Sequence, residues 1–481
     1  MTRRAFVSAL SLFPLACGSS PQAEAPTAEK PNFVVLLVDD WGWSDAGCLG
    51  SDLYQTPNID ALTAQSMRFA NAYSACTVCS PTRAALMTGK YPARTHVTDF
   101  IRGHSFPHAK LSPPDWTMKI EQRHTTLAEA LGAAGYHTAI VGKWHLEPTG
   151  EPDEDDYRPE KHGFEINVGG NEWGAPATYF YPYAKEGSPR VMGPLPPGGK
   201  EGDYLTDVLT EAAVEILGDW GDQPFFLYFP YYTVHTPIEA KAELEARFQP
   251  LVKDGMRHQD AAYAAMLASL DESVGKLRAQ LERMGVADRT VILLAGDNGG
   301  LDQKGTGRPT ENSPLREGKG SAYEGGVRVP TVIHWPGVTQ PGALSQEPVI
   351  TVDLYPTVLD IAGVEGDPAH NAEVDGVSLT PLLRDPSASL DREALYWHYP
   401  HYHNGGATPH SAIRAGDWRL VEFYEDGHAE LYNLAEDVGE TKDLAAAMPD
   451  KTAELQAKLH AWREKVGAQP PVPNPNYQPK R

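Results

Sequence analysis

Two short acidic motifs have the composition of a site for a hard divalent cation. Asp39-Asp40 and Asp297-Asn298 each follow directly after an apolar run of residues. Together they offer only carboxylate and amide oxygens, and all-oxygen sites suit Ca²⁺ or Mg²⁺ rather than zinc. Either motif alone is also a common turn, because both residue pairs favour turns. Their joint occurrence after two apolar runs favours a metal site that is formed by Asp39, Asp40, Asp297 and Asn298.

Basic side chains in three further segments could stabilise negative charge during a group transfer. Lys143 and His145 occur in the sequence Gly-Lys-Trp-His, His235 is followed by Thr-Pro, and Lys319 lies in a glycine-rich stretch. Preorganised cations and a metal ion act in this way on a transferring phosphoryl-like group. A single loop histidine is more often a surface or core residue. The catalytic interpretation therefore requires a fold that brings these side chains together.

A third motif carries a cysteine in a pattern that is associated with oxidation. In Cys-x-Pro-x-Arg, here Cys79-Ser80-Pro81-Thr82-Arg83, the cysteine is converted after synthesis to formylglycine (3-oxoalanine), an aldehyde that acts as a nucleophile. Cys76 also makes the segment formally Cys-x-x-Cys, which leaves a redox or zinc site as an alternative. A zinc site needs a second ligand pair at matching spacing, and the chain supplies none.

The residues after Cys79 predict a helix whose N-terminus could bind an anion. Ser80 suits the N-cap, Pro81 the first helical position and Gly89 the C-terminal turn. Cys79 would then lie just before the helix, where free backbone N–H groups and the helix dipole favour an anion.

The fold class follows from several apolar runs that end in these polar residues. Continuous apolar runs of this length suit strands that are buried on both faces, and the amphipathic stretches between them suit helices. Since ligands of open α/β sheets bind at the carboxyl ends of the strands, the polar groups would meet at one edge. We predict an α/β fold with a large, mostly parallel central sheet flanked by helices. The predicted strands are Asn32–Val38, 137–142, 224–229 and Thr290–Gly296, and the predicted helices are 125–134, 206–217 and 260–284.

Beyond about residue 385 the pattern changes to short strands and one helix. Segments 393–398, 418–424 and 428–434 predict strands, and 450–466 predicts a helix. These patterns indicate a smaller α+β subdomain with an antiparallel sheet. The predicted organisation is a signal peptide in 1–17, a linker in 18–31, a catalytic domain in 32–385, the α+β subdomain in 386–468 and a mobile tail in 469–481.

The charge balance and the N-terminus restrict the partners and the location. The formal net charge is −23 with no basic stripe, which argues against a nucleic-acid partner and means that an anionic substrate needs a local cationic pocket. Arg3-Arg4 and the following apolar run resemble a twin-arginine export signal. The run ends at Cys17 in a sequence close to a lipoprotein cleavage box, so Cys17 is either lipidated or discarded. We predict a periplasmic protein or an outer-membrane-anchored lipoprotein of a bacterium.

Taken together, these motifs resemble the sulfatase family. The Cys79 motif continues to Thr88-Gly89 as the extended family motif does, and the acidic and basic motifs occur in the family's order over about residues 31–440. The resemblance is to the formylglycine-dependent, arylsulfatase-A-like (type I) sulfatases of the alkaline phosphatase superfamily. It implies hydrolysis of a sulfate ester, conversion of Cys79 by a formylglycine-generating enzyme, and one divalent ion. That ion is usually Ca²⁺ and would be held by Asp39, Asp40, Cys79, Asp297 and Asn298.

The resemblance also implies how the residues act. The formylglycine hydrates to a gem-diol, one hydroxyl attacks sulfur, and the second allows the sulfated hemiacetal to break down. His235 or Lys319 would protonate the leaving alcohol. His145 would be the base that expels sulfate, while Arg83 and Lys143 would hold the hydrate and its charge.

The substrate prediction depends on two aromatic segments, 179–183 and 397–404. They are similar to stretches of bacterial polysaccharide sulfatases, which favours a sulfated saccharide over a simple aryl ester. Packing of large rings between domains is an equally open alternative. Region 167–173 lacks a serine that arylsulfatases of this type carry, so that substrate contact is not predicted here.

Two other function classes remain open from the sequence. A phosphatase or phosphonate monoester hydrolase shares the implied fold and can use the same nucleophile. A non-catalytic, calcium-dependent glycan-binding protein would keep Cys79 as a thiol.

Overall fold

The computed structural model of the protein describes residues 30–148, 157–302 and 309–479. The predicted signal peptide, Cys17 and most of the predicted linker lie outside the described residues. Within those ranges no helix combines the length and the apolar composition that a membrane crossing requires.

The strands and helices are numbered here in chain order. The strands are β1 Asn32–Val38, β2 Met67–Phe69, β3 Ala72–Tyr73, β4 Leu111–Ser112, β5 His137–Val141, β6 Ile166–Val168, β7 Phe225–Pro230, β8 Thr290–Gly296, β9 Thr331–His334, β10 Leu344–Ser345, β11 Val349–Ile350, β12 Leu395–Tyr399, β13 His410–Ala415, β14 Trp418–Phe423, β15 Ala429–Asn433 and β16 Val472–Pro473. The helices are α1 Pro57–Ala64, α2 Cys79–Thr88, α3 Pro92–Thr95, α4 Leu127–Ala133, α5 Leu205–Trp220, α6 Ala242–Phe248, α7 Ala261–Met284, α8 Glu324–Val327, α9 Leu354–Ala362, α10 Pro368–Asn371, α11 Thr380–Arg384 and α12 Pro449–Val466.

The largest sheet has eight strands in the order β10-β2-β9-β8-β1-β7-β5-β6. Strand β1 pairs in parallel with β7 and β8, and β7 pairs in parallel with β5. Only β9 runs against its neighbours β8 and β2 among the described strands of this sheet. The predicted α/β fold with a mostly parallel central sheet is therefore confirmed.

Strand β1 shows why the apolar runs are continuous. Its alternate side chains Val34, Leu36 and Val38 pack into a core with residues of α5 and α7. Phe33, Val35 and Leu37 point to the other face and pack with residues of α2, α4 and α9. Because helices cover both faces of the sheet, neither set of side chains reaches water.

The smaller sheet is antiparallel in the order β12-β13-β14-β15, and side chains of α12 share its core. Three of its strands and the helix match the predicted elements, but β13 was not predicted. Its sequence mixes polar and apolar residues without alternation, and the polar ones are buried through specific partners. Ser411, for example, hydrogen-bonds His398 and Tyr424. Such pairing depends on tertiary contacts and leaves no period-two signal in the sequence.

The segment that we predict as a mobile tail makes ordered contacts in its described part. Strand β16 pairs antiparallel with β4, and Asn474 Nδ2 donates hydrogen bonds to the carbonyls of Pro107 and Ala109 at 3.0 and 2.8 Å. The C-terminal segment thereby holds the loop that runs from residue 96 to residue 112. The domain boundaries themselves stay a prediction.

A truncated variant tests this contact. A chain that ends at Pro470 lacks β16 and Asn474, so the 107–112 segment loses its strand partner and should open locally. We expect trypsin to cleave after the exposed Lys110 several times faster, because each lost hydrogen bond contributes about 1 kcal/mol.

The variant Asn474→Ala is the matched control, since it keeps β16 and removes only the side-chain bonds of Asn474, namely the two to this loop and one from the Asn476 N–H, and should show an intermediate rate. Equal cleavage rates in all three proteins would contradict the contact.

Candidate active site

Helix α2 begins at Cys79 and presents that residue at the sheet edge. Its N-cap is Val78 in an extended conformation, and every residue from Cys79 to Thr88 is buried. The predicted N-cap at Ser80 is wrong by two residues. The Ser80 hydroxyl instead accepts from the Ile101 backbone N–H at 3.1 Å and lies 3.1 Å from His145 Nδ1, so a tertiary contact takes the place of capping. Gly89 ends the helix with φ 67° as predicted.

His145 is held with one ring nitrogen directed at Cys79. Its Nε2 donates to the Ile101 carbonyl, which can only accept, so this assignment places the proton on Nε2. The unprotonated Nδ1 then faces Cys79 Sγ at 3.4 Å. Burial lowers the pKa of His145 well below its usual range, and the Lys143 ammonium lowers it further. His145 is therefore a neutral base that points at residue 79.

Each buried cation of the site contacts a carboxylate at the end of a parallel strand. Lys143 Nζ donates to Asp39 Oδ2 at 2.6 Å, and Lys319 Nζ donates to Asp40 Oδ1 at 2.5 Å. Arg83, which is fully buried, donates to Asp297 Oδ2 from Nη2 at 2.7 Å and from Nε at 3.1 Å. It also donates to the Lys143 carbonyl at 2.9 Å.

The opposite side of these acidic groups carries oxygens that no residue in the described part of the chain satisfies. Asp39 Oδ1, Asp40 Oδ2 and Asn298 Oδ1 are buried without a hydrogen-bond partner. Asn298 Nδ2 donates to Asp40 Oδ1 at 2.8 Å, which fixes the amide with its oxygen directed away. Buried polar atoms without partners are costly, and carboxylate and amide oxygens left free in this way suit a hard cation. The residues present therefore fit a divalent metal ion.

Ligand atoms of Asp39, Asp40 and His235 also lie within 4.8 Å of one another, which adds His235 to the groups near the metal position. His235 Nδ1 hydrogen-bonds the Thr236 carbonyl at 2.8 Å, and Nε2 lies 3.7 Å from Asp40 Oδ2. Burial and then the Lys319 ammonium lower the pKa of His235.

The pKa shifts of the carboxyl groups show the cost of this crowding. Burial raises the pKa of Asp297, and the nearby carboxylate of Asp39 raises it further. Burial alone would raise the pKa of Asp40, but Lys319 and His235 outweigh it and the net shift is downward. A divalent cation among these groups would favour their charged forms.

The thiol of Cys79 is a poor nucleophile in this environment. Burial raises its pKa, although Lys143 and Lys319 oppose the shift. The thiol is therefore protonated at neutral pH, whereas thiol nucleophiles react as thiolates. Position 79 therefore suits a nucleophile that does not have to be a thiolate.

A cavity of about 470 Å³ opens onto Cys79, and its volume lies in the usual range for small-molecule sites. Asp40, His145, His235 and Lys319 line it together with Cys79. Most of its other walls come from loops that the sequence analysis did not predict to contact the substrate. These wall residues include Phe100, Arg102, His104, Glu172, Trp173 and Arg190.

Of the two aromatic segments predicted as substrate walls, only the end of one reaches the cavity. His403 and Asn404 line it, whereas 179–183 does not. Tyr179 is buried and donates to the carbonyls of Tyr232 and His235. Its ring supports the His235 loop, so packing is the correct interpretation for that segment.

The loop at 167–173 orders the cavity wall. The Asn171 carbonyl accepts from the His145 backbone N–H at 2.9 Å, and its side chain bonds Trp173 and Val191. The signal that could have indicated this role was the Asn-Glu-Trp sequence shortly after strand β6, a strand that the sequence analysis did not predict.

Comparison with known families matches nearly the whole described chain. The sulfatase family model matches residues 31–364. A second model, described as N-sulphoglucosamine sulphohydrolase, C-terminal, matches residues 318–468.

Individual relatives agree with these matches. A sulfatase of Formosa agariphila is 33% identical over 94% of this chain and 92% of its own length. Human N-acetylgalactosamine-6-sulfatase is 31% identical over 77% of this chain and 68% of its own length. The crystal structure of Ps i-CgsB superposes with a TM-score of 0.75 at 30% identity, covering 93% of this chain and 94% of the other.

Calcium binding to the free oxygens should be measurable as stabilisation. A ligand at about 100 times its Kd stabilises the folded state by about 2.7 kcal/mol, so Ca²⁺ should raise the Tm and a chelator should reverse the shift. Asp39→Asn and Asn298→Ala should abolish most of the shift, because each removes a ligand or its charge.

Asp271→Asn is the matched control. Asp271 is a buried carboxylate whose oxygens are all satisfied by Asn58 and Ile59, so this variant should keep the full calcium shift. A shift of equal size in all variants would contradict the assigned position.

Proposed function

The chain belongs to the sulfatase family and hydrolyses sulfate esters, and we propose that its substrate is a sulfated carbohydrate. The observation that carries this proposal is the cavity above Cys79. It combines buried cations at its base with aromatic and hydrogen-bonding walls, and its volume of about 470 Å³ accommodates more than a bare sulfate group. Aromatic faces beside polar groups suit a sugar ring.

The relatives support a sugar substrate. The structure of Ps i-CgsB was also solved in complex with k-i-k-neocarrahexaose, and this complex is 29% identical to the present chain with a TM-score of 0.74. N-acetylgalactosamine-6-sulfatase is named for a sulfated amino sugar. We carry only the class, a sulfated saccharide, over to this chain.

Cys79 is proposed as the site of conversion to formylglycine by a formylglycine-generating enzyme. Converted in this way, residue 79 would supply an aldehyde hydrate as the nucleophile, with a second hydroxyl that permits release of sulfate. The high pKa of the unmodified thiol is consistent with a need for conversion. We propose that His145 accepts a proton from residue 79, and the 3.4 Å distance from its Nδ1 to the Sγ atom supports this role.

The basic residues divide into a pair that faces the cavity and a pair beneath it. Lys319 and His235 line the cavity and are the groups proposed to protonate the leaving oxygen. The pKa of Lys319 is raised despite burial, chiefly by Asp40, so its ammonium also supplies permanent positive charge. Arg83 and Lys143 are fully buried and contact Asp297 and Asp39. We propose that they hold the charge and geometry below residue 79.

Asp39, Asp40, Asp297 and Asn298 are proposed to hold one Ca²⁺ ion, with Mg²⁺ as the less favoured choice. The unsatisfied oxygens of Asp39, Asp40 and Asn298 support this assignment. When bound, the ion would supply positive charge for the sulfate oxygens and the nucleophile. We also propose that the protein is exported to the periplasm, either free or anchored to the membrane by a lipid at Cys17.

A phosphate or phosphonate monoester hydrolase is the second candidate function. A phosphonate monoester hydrolase of Agrobacterium radiobacter shares the fold with a TM-score of 0.65 at 20% identity. A metal ion and lysines that stabilise a sulfuryl group also suit a phosphoryl group. Sulfatase and phosphatase activity are distinguished by comparing the hydrolysis rates of a sulfate ester and a phosphate ester of the same alcohol.

Conversion of Cys79 is tested by the intact mass of its peptide from the native host. We expect a loss of about 18 Da relative to cysteine, because an aldehyde oxygen replaces the sulfur and two hydrogens. Cys79→Ala should lower kcat by about 10⁴-fold or more, as removal of a nucleophile does.

Cys76→Ala is the matched control, because Cys76 is a buried cysteine three positions away with no proposed catalytic role. It should keep near-wild-type kcat. An unshifted peptide mass would instead support a glycan-binding protein without catalysis.

The substrate class is tested with a panel of sulfated mono- and oligosaccharides beside an aryl sulfate and the matching aryl phosphate. We expect sulfate release from at least one saccharide and a kcat/KM for the aryl sulfate at least about 100-fold above that for the phosphate, since about 3 kcal/mol separates a favoured from a disfavoured transition state. Fast aryl turnover without release from any sugar would reject the carbohydrate assignment.

A further inference from the structure

The rim of the cavity carries two arginines that the sulfate-ester chemistry does not use. Arg102 and Arg190 line the same cavity as Cys79, and both side chains are exposed. Within residues 30–148, 157–302 and 309–479, neither forms an ion pair with a carboxylate. Most other cavity-facing charges are paired, as Lys319 is with Asp40. The guanidinium groups at the rim are therefore available to a ligand.

Arg102 is held in an orientation that suits anion binding. Its guanidinium carbon lies 4.7 Å from the ring centroid of Trp173, which is a cation–π contact. Stacking uses the flat face of the guanidinium and leaves its N–H edge free. That edge matches the geometry of a sulfate or a carboxylate, to which it can donate two parallel hydrogen bonds.

Arg190 belongs to the same supported wall. Its Nη1 donates a long bond of 3.4 Å to the Pro176 carbonyl, and its other side-chain N–H groups have no hydrogen-bond partner among the described residues. Asn171 joins the segment at 190–191 to the Trp173 loop, because its Nδ2 donates to the Val191 carbonyl at 2.8 Å and its Oδ1 accepts from the Trp173 N–H at 3.0 Å. The two arginines thus stand on one hydrogen-bonded unit.

This unit adjoins the reaction centre directly. The residue before Arg102 is Ile101, whose carbonyl accepts from His145 Nε2. On the other side, a Cβ atom at Gly174 would lie only 2.4 Å from the His145 ring, so the Trp173 loop packs against that ring without a side chain between them. A group bound at the rim would accordingly share one cavity with a sulfate ester bound at residue 79.

The charge balance favours an anion at the rim. Glu172 is the acidic side chain that lines the cavity beside the arginines, so two positive charges face one negative charge there. The chain as a whole carries a net charge of −23, and two unpaired arginines beside one cavity stand out against that background. An arginine that is merely solvated at the surface would neither stack on Trp173 nor form part of the cavity wall.

We propose that this rim binds a second anionic group of the substrate, a sulfate or a carboxylate on the same or the neighbouring sugar, through Arg102 and Arg190. The inference rests on the proposed carbohydrate function and narrows it to saccharides with more than one negative charge. Glu172 and Trp173 Nε1, which is buried without a partner in the described part of the chain, would contact the hydroxyl groups of the same sugar.

Binding to a Cys79→Ala protein tests the proposal without turnover. Calorimetry would compare a hexose monosulfate, the corresponding disulfate, and a disaccharide of the monosulfate with a uronic acid. We expect the doubly charged ligands to bind about tenfold more tightly than the monosulfate, because a hydrogen bond to a charged group contributes roughly that factor. The disulfate and uronate arms distinguish the two sources of charge.

Arg102→Gln and Arg190→Gln in the same background should each remove most of this preference. Each substitution should weaken binding of the preferred doubly charged ligand by a factor that is at least about five times the factor for the monosulfate. Arg384→Gln is the matched control, since Arg384 is an exposed arginine stacked over Trp335 at 5.1 Å outside the cavity lining. It should leave all the affinities unchanged.

The outcomes separate this inference from the proposed function. Saccharide binding without any preference for the second charge, or equal losses on all ligands, would overturn the inference and leave the carbohydrate assignment intact. An absence of binding to every saccharide, with turnover of aryl sulfate by the unmutated enzyme, would overturn both.

Discussion

The site depends on the pairing of buried charges at the carboxyl edge of one parallel sheet. Asp39, Asp40 and Asp297 follow two adjacent central strands and are fully buried. Lys143, Lys319 and Arg83 each bind one of these carboxylates from a different element. Removing one partner of such a pair leaves an uncompensated buried charge, which costs about 3–5 kcal/mol. The same contacts that make the cluster tolerable leave one oxygen of Asp39 and one of Asp40 without a partner among the described residues.

The division between sheet and loops explains how the site combines rigidity with selectivity. The strands β1, β5, β7 and β8 are buried on both faces and hold the acidic and basic groups in register. The cavity walls instead come from long connections, which hydrogen bonds fasten to His145 through Ile101 and Asn171. The buried charges thus lie at the ends of the sheet strands, and loops shape the cavity above them.

The charged groups at the bottom of the site were largely predictable from the sequence, whereas most of the cavity wall was not. An apolar run that is followed by polar residues marks the end of a strand in the sequence. Because parallel strands end at the same edge of the sheet, Asp39 and Asp297 then lie close together. No such rule applies to Arg102, Trp173 or Arg190, which lie on irregular loops far apart in the sequence. The aromatic segment 179–183 was considered as a substrate wall because composition alone does not distinguish a ring that packs inside the protein from one that contacts a ligand. Strand β13 was missed because tertiary partners, and not alternation, allow its polar residues to be buried.

The sequence by itself determined the fold class, the strands that carry the site and the identity of the groups at its base, because continuous burial and strand-end polarity leave local patterns. Only the tertiary structure decided which oxygen of each acidic group is free, which nitrogen of His145 faces Cys79, and which loops enclose the substrate. Those properties depend on hydrogen bonds between residues that lie tens to hundreds of positions apart. The 44-residue separation of Ile101 from His145 is an example. No local pattern records such a contact, since it forms only when the chain has closed around the sheet edge.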